Sequence, residues 1–117
     1  MAALTAPSAK AYHGTVTVTG ATGVATLLID LTKGLGVAET GWNVWIWNAD
    51  PDTGDDLFVG FLSTTDVADG FPVTNLAQDP VNRKLFLPGL PPHTKIYANC
   101  TNAETRDVRY IAYPTYS

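Results

Sequence analysis

Apolar and polar positions alternate along this chain in short runs, and no stretch sustains a 3.6-residue repeat. Tyr12 to Thr19 reads Tyr-His-Gly-Thr-Val-Thr-Val-Thr. As a strand it sets Val16 and Val18 on one face and Thr15, Thr17 and Thr19 on the other. Val24 to Leu31 continues the pattern, with Leu27, Ile29 and Leu31 against Leu28 and Asp30. The turn material Gly20-Ala-Thr-Gly23 between the two predicts a hairpin. Trp42-Asn-Val-Trp-Ile-Trp47 is more apolar than either. Trp42, Val44 and Ile46 share one face, and Asn43, Trp45 and Trp47 the other. Large apolar groups on both sides predict a strand covered on both sides, by this chain or by another subunit. Leu57 to Ser63 has the same character and follows the polar turn Asp50-Pro-Asp-Thr-Gly-Asp-Asp56. These two strands are expected to form a second hairpin, central in a sandwich or at a subunit contact.

Further strands are predicted over Phe71 to Ala77, Arg83 to Leu87, Thr94 to Thr101 and Arg106 to Tyr113. Asp66-Val-Ala-Asp69 reads as one short helical turn, and Asp79-Pro-Val-Asn82 as a turn. Pro88-Gly-Leu-Pro-Pro92 is expected to be a rigid crossing loop outside any ladder, because proline lacks the N–H a ladder needs. The total is seven or eight strands at regular spacing. The fold class is therefore all-β, an antiparallel β-sandwich of jelly-roll or immunoglobulin-like type. Residues 12–117 form a single β-sandwich domain, and residues 1–11, small and polar with one proline, form an N-terminal arm.

With 117 residues, one core suffices without metals or disulfides. Apolar residues reach 45%, too many for disorder, while charged residues stay at 15%. That is sparse for a free-standing soluble monomer, so part of the surface is expected to be covered by other subunits. The net charge of −4 is unevenly spread. Glu39, Asp50, Asp52, Asp55, Asp56, Asp66, Asp69 and Asp79 lie between Lys33 and Arg83 with no basic residue among them. Such asymmetry orients subunits if the fold keeps it, and vanishes if the fold mixes the segments.

No basic n-region or apolar h-region opens the chain, so a secretory signal is not expected and folding in a cytoplasm is. No run approaches the roughly 20 apolar residues of a membrane-spanning helix. Cys100 stands alone, which excludes an intrachain disulfide and fits a small buried hydrophobe in a strand. His13 and His93 offer it no local catalytic pattern.

The acidic turn invites a calcium reading, with Asp50, Asp52, Asp55 and Asp56 as oxygen donors. The EF-hand template fails, since Gly54 sits one place early and Phe61 stands where the twelfth-position Glu belongs. A hairpin turn rich in Asp and Gly is the plainer reading, and no metal or cofactor is expected. Trp42, Trp45, Trp47, Tyr97, Tyr110, Tyr113 and Tyr116 suit a sugar-stacking platform or, more simply, a core and a subunit contact. The expected interface residues are Trp42, Trp45, Trp47, Tyr113 and Tyr116. An acidic chain with no cluster of four Lys or Arg is a poor phosphate binder, so nucleic acid is not an expected partner. Gly34-Leu-Gly36 lacks the following Lys and helix of a phosphate loop, and no Ser-His-Asp order or nucleophile elbow occurs. The chain is not expected to be an enzyme.

Leu90-Pro-Pro-His-Thr-Lys-Ile-Tyr97 resembles the Leu-x-Pro-x-Thr stretch before strand F of fibronectin type III domains, with the tyrosine one place late at Tyr97 rather than at 96. Through its size, its small-residue arm Ala2 to Ala11, its Thr/Val strands and its few charges, the whole chain resembles small tailed-bacteriophage virion proteins, in particular head decoration (cement) proteins. That resemblance implies a virion location. It also implies a homo-oligomer, often a trimer, that braces neighbouring copies of the major capsid protein. A carbohydrate-binding or adhesin-like module, and a tail, connector or fibre component, are the alternatives.

Overall fold

The computed structural model describes residues 11–31, 41–49, 57–73, 84–91 and 93–115. Among them are eight strands: β1 (Tyr12–Thr19), β2 (Thr26–Asp30), β3 (Trp42–Asn48), β4 (Phe58–Gly60), β5 (Phe71–Pro72), β6 (Lys84–Leu90), β7 (Lys95–Asn99) and β8 (Thr105–Pro114). They form two four-stranded sheets, ordered β1-β8-β3-β6 and β2-β7-β4-β5, and every pairing is antiparallel. The pairs β1–β8, β2–β7, β3–β6 and β4–β5 nest inside one another. The chain is therefore one long antiparallel ribbon, folded at β4–β5 and rolled so that its strands fall alternately into the two sheets. That is the jelly-roll order of a β-sandwich, and it decides between the two sandwich types left open by the alternation.

The core lies between the sheets. Trp42, Val44 and Ile46 of β3 and Val108 and Ala112 of β8 face Leu28 and Ile29 of β2, Val59 of β4, and Ile96 and Ala98 of β7, all buried. Tyr12, Val16, Leu85, Leu87, Leu90 and Tyr110 close its margins, half-buried. Cys100 is 2% exposed just past β7, as a small buried hydrophobe would be. β3 and β4 each sit second from the edge of their sheet, which is where strands apolar on both faces belong.

Neither expected hairpin forms. β1 lies in one sheet and β2 in the other, and the same holds for β3 and β4. Six residues separate Thr19 from Thr26. At roughly 3.3 Å each they reach across the roughly 10 Å between stacked sheets. The glycine-rich turn serves that crossing.

Four strands also depart from the expected faces or bounds. β2 carries a bulge between Leu27 and Ile29, which turns Leu28 and Ile29 both inward and leaves Leu27 40% exposed. β6 runs on to Leu90 and takes in Pro88, expected to lie outside any ladder. An edge strand with a register shift opposite Trp42 to Val44 tolerates proline, and Gly89 takes the left-handed φ of 63° there. β4 stops at Gly60, and β5 is described over Phe71–Pro72; the rest of the strand expected to Ala77 falls, from residue 74 on, outside the described residues.

The chain beyond Gly60 is the least expected part. Residues 61–70 turn back over the outer face of the β2-β7-β4-β5 sheet. Thr65 is buried there against Gly60 and Gly70; a β-carbon on Gly60 would stand 2.4 Å from Thr65 Oγ1. The Asn99 side chain, 0% exposed, holds the fold-over in place. Its Nδ2 donates to the carbonyls of Ala21 (2.8 Å) and Thr65 (3.0 Å). Its Oδ1 accepts from the backbone N–H of Ala21 (3.2 Å) and of Cys100 (2.9 Å). A buried amide with its donors and acceptor all engaged stabilises rather than costs.

Candidate docking face

The outward face of the β1-β8-β3-β6 sheet is set by register. β3 alternates buried Trp42, Val44, Ile46 and Asn48 with outward Asn43, Trp45 and Trp47. Trp45 stands opposite Phe86 of β6 on one side and Ile111 of β8 on the other, and Ile111 stands opposite His13 of β1. One row therefore runs His13–Ile111–Trp45–Phe86 across the whole sheet. The next row runs Thr15–Arg109–Trp47–Lys84. On the other side, Tyr113 stands opposite Asn43, whose Oδ1 accepts from the Gly89 N–H (2.9 Å).

The rings are ordered by one another. Trp45 and Phe86 stack with centroids 4.4 Å apart at 26°. The Lys84 ammonium lies 5.6 Å from the Trp45 centroid, in cation–π range, so its charge sits beside the row. Phe86 and Ile111 are each 38% exposed, while Trp45, Trp47 and Tyr113 are half-buried. At the β1 side the face turns polar, and Thr17 Oγ1 donates to Asp107 Oδ1 (3.0 Å). No described segment crosses this face.

Of the residues expected at an interface, Trp45, Trp47 and Tyr113 share this surface. Trp42 does not: it is 1% exposed in the core, its ring 6.2 Å from that of Tyr12. The alternation that turns Trp45 outward turns Trp42 inward. Tyr116 lies outside the described residues, as do residues 1–10 of the arm and Asp50, Asp52, Asp55 and Asp56. Tyr97 belongs to the other sheet and Tyr110 points inward, so the seven rings do not form one sugar platform. Phe86, Ile111 and Lys84 were missed. Phe86 had a signal, since Leu85-Phe86-Leu87 is apolar on both faces just as β3 is.

Among the described residues no three His, Cys, Asp or Glu side chains come together as a metal site. No helix among them is long and apolar enough to cross a membrane. Arg106, buried on the inward side of β8, pairs with Glu104 and donates to the Thr105 carbonyl (2.7 Å). Arg109 is exposed.

No protein-family model matches the chain, and no curated protein does. Among solved structures, the chain is similar to one from work described as "Bacillus endospore appendages form a novel family of disulfide-linked pili". The two share 14% identity at a TM-score of 0.43, over 89% of this chain and 88% of that one. At that level of likeness the fold description rests on this chain's own strand order.

Proposed function

We propose that this chain is a structural subunit of a larger protein assembly, and specifically a capsid decoration protein that braces neighbouring major capsid subunits. The observation that carries this reading is the apolar row Ile111–Trp45–Phe86, flanked by Trp47 and Tyr113, on an outward sheet face that no described segment covers. Aromatic anchors of this kind dominate protein contacts once partner atoms exclude water from them. Each Å² of apolar area so covered contributes about 25 cal/mol before the cost of association. Repeated over many copies, modest contacts stabilise a shell. The reading needs no catalysis, no cofactor and no nucleic acid. It places the protein in the virion, and it suits the sparse charge and the resemblance to cement proteins.

Electron microscopy of particles assembled with and without the chain is the test. Density for the jelly roll on the outside of the shell, with the β1-β8-β3-β6 face against the capsid lattice, is the expected result. Particles lacking the chain should release their genome at a lower temperature. Absence from the shell, or a ring face turned to solvent on it, overturns decoration. Filaments of the chain alone would keep the assembly role and replace the shell. Monomers that bind on a glycan array would favour the carbohydrate-binding reading.

A further inference from the structure

Two sheets have four edge strands, and three of those edges are blunted. β5 is two residues long, and one of them is Pro72. β6 carries Lys84 and Pro88, together with the register shift at Gly89. β2 has five residues broken by the bulge after Leu27. These are the devices by which sheet proteins stop another strand from adding to an open edge. β1 has none of them. It runs eight residues without Pro, Lys or any acidic residue. Its register with β8 is unbroken from Tyr12↔Ala112 to Thr19↔Thr105. Among the described residues no strand pairs with the other side of the segment from His13 to Thr19.

The sequence of that edge is self-complementary. Thr15-Val-Thr-Val-Thr19 reads the same in both directions. A second copy laid antiparallel about Thr17 sets Thr15 opposite Thr19, Val16 opposite Val18, and Thr17 opposite itself. Every pair then joins like with like: Thr with Thr on the outward face, where all three are exposed, and Val16 with Val18 on the inward face, where Val18 is already enclosed by its own core and the Thr pairs carry the contact. Thr–Thr hydrogen bonding and β-branched packing are favourable cross-strand pairs, and no charges are opposed. A surface that complements itself in this way generates a closed two-fold dimer.

We infer that β1 is a homodimerisation edge, at which two copies join antiparallel about Thr17 into one continuous sheet of order β6-β3-β8-β1-β1-β8-β3-β6. Directly opposed residues in an antiparallel pair point to the same side. The two ring faces therefore become coplanar, and the dimer presents two Ile111–Trp45–Phe86 rows to one side. The inference stands whatever the ring face docks on, because it uses only the edge.

The test is the native mass of the full chain across a concentration series, combined with two substitutions at the axis. The wild type is expected at twice the 12.5 kDa chain mass. Thr17 is exposed beside Asp107, so T17K leaves the monomer fold intact while setting two like charges face to face. With Asp107 beside it screening part of the repulsion, it should weaken dimerisation about 3- to 5-fold. T17C should form a covalent dimer under mild oxidation, since opposed strand residues lie about 4.5–5.5 Å apart at Cα, inside the disulfide range. T22C, on the exposed turn, should cross-link at least ~10-fold more slowly, because only chance encounters bring two such turns together. A wild type that stays monomeric overturns the inference. So does a dimer whose mass T17K leaves unchanged, or T17C cross-linking no faster than T22C. If T17K fails to fold by circular dichroism, the cross-linking comparison decides. Particle microscopy tests the docking reading separately.

Discussion

The two outward faces of this sandwich are finished in different ways. The face of β2-β7-β4-β5 is partly covered by the chain itself: residues 61–70 lie over it, Thr65 is pressed onto Gly60, and the Asn99 amide ties three segments together. The face of β1-β8-β3-β6 carries an apolar row in which Trp45 stacks on Phe86 beside Ile111, with no described segment above it. Exposed apolar side chains occur near the first face too, among them Val24, Phe61, Leu62 and Phe71. Most of those project from turns, whereas the rings of the second face lie side by side on strands that the core holds in register. Scattered apolar side chains are ordinary on any protein surface, but a contiguous, ordered patch is what a partner can grip. The difference teaches which face the chain finishes with its own segment and which it leaves, among the described residues, as an ordered patch.

The sharpest way to break the comparison is to treat two tryptophans of one strand alike. Trp42 is 1% exposed and Trp45 is half-buried on the other side of β3. Trp42→Ala should cost about 4 kcal/mol of folding stability, the transfer loss plus a cavity between the sheets. Urea denaturation measures it, and a loss comparable to that of Trp45→Ala would refute the inside–outside assignment of β3.

The self-covered face should respond next. Asn99→Ala removes four hydrogen bonds and strands the carbonyl of Thr65 beneath the fold-over, at a cost of about 3 kcal/mol. Gly60→Ala pushes a methyl group into Thr65 and should cost about 2 kcal/mol. Adding Thr65→Ala should return part of that loss, because the clash disappears with the side chain. A double-mutant cycle showing additivity would place Thr65 away from Gly60.

The alternation along β1, β3, β7 and β8 was legible in the sequence because the pleat enforces it residue by residue. So was the two-sided apolar character of β3 and β4, which places them inside their sheets. Partnership was not. Gly20 to Gly23 suits a hairpin and a sheet-to-sheet crossing equally, and what separates them is the far partner, β8 or β7, some eighty residues away. Trp42 was misplaced for the opposite reason, since ring size suggested an interface where parity alone put it in the core. The fold-over left one trace, an isolated Gly60 within an apolar strand, a position that marks close approach by another segment. Pro88 misled because the rule against proline in ladders relaxes at an edge.

The ring face should be the least sensitive part of the free chain and the most sensitive part of the assembly. Trp45→Ala removes a stack with Phe86 and a half-buried ring, at about 1 kcal/mol. Trp47→Ala should cost no more, since its ring too is half-buried on the outward face. In the isolated protein these losses sit well below that of Trp42→Ala. On particles of the kind proposed above, the order should invert. A ring that is half-covered alone and fully covered by a partner carries most of its energy in the contact, where truncating such anchors costs about 2 kcal/mol or more, some 30-fold in affinity. Stability of the free chain and occupancy on particles, measured for the same two variants, separate the readings. Large occupancy losses with small stability losses are the mark of a docking face. Equal losses in both would mean that the rings serve the fold alone, and the sheet face that no described segment crosses would then be a surface without a partner.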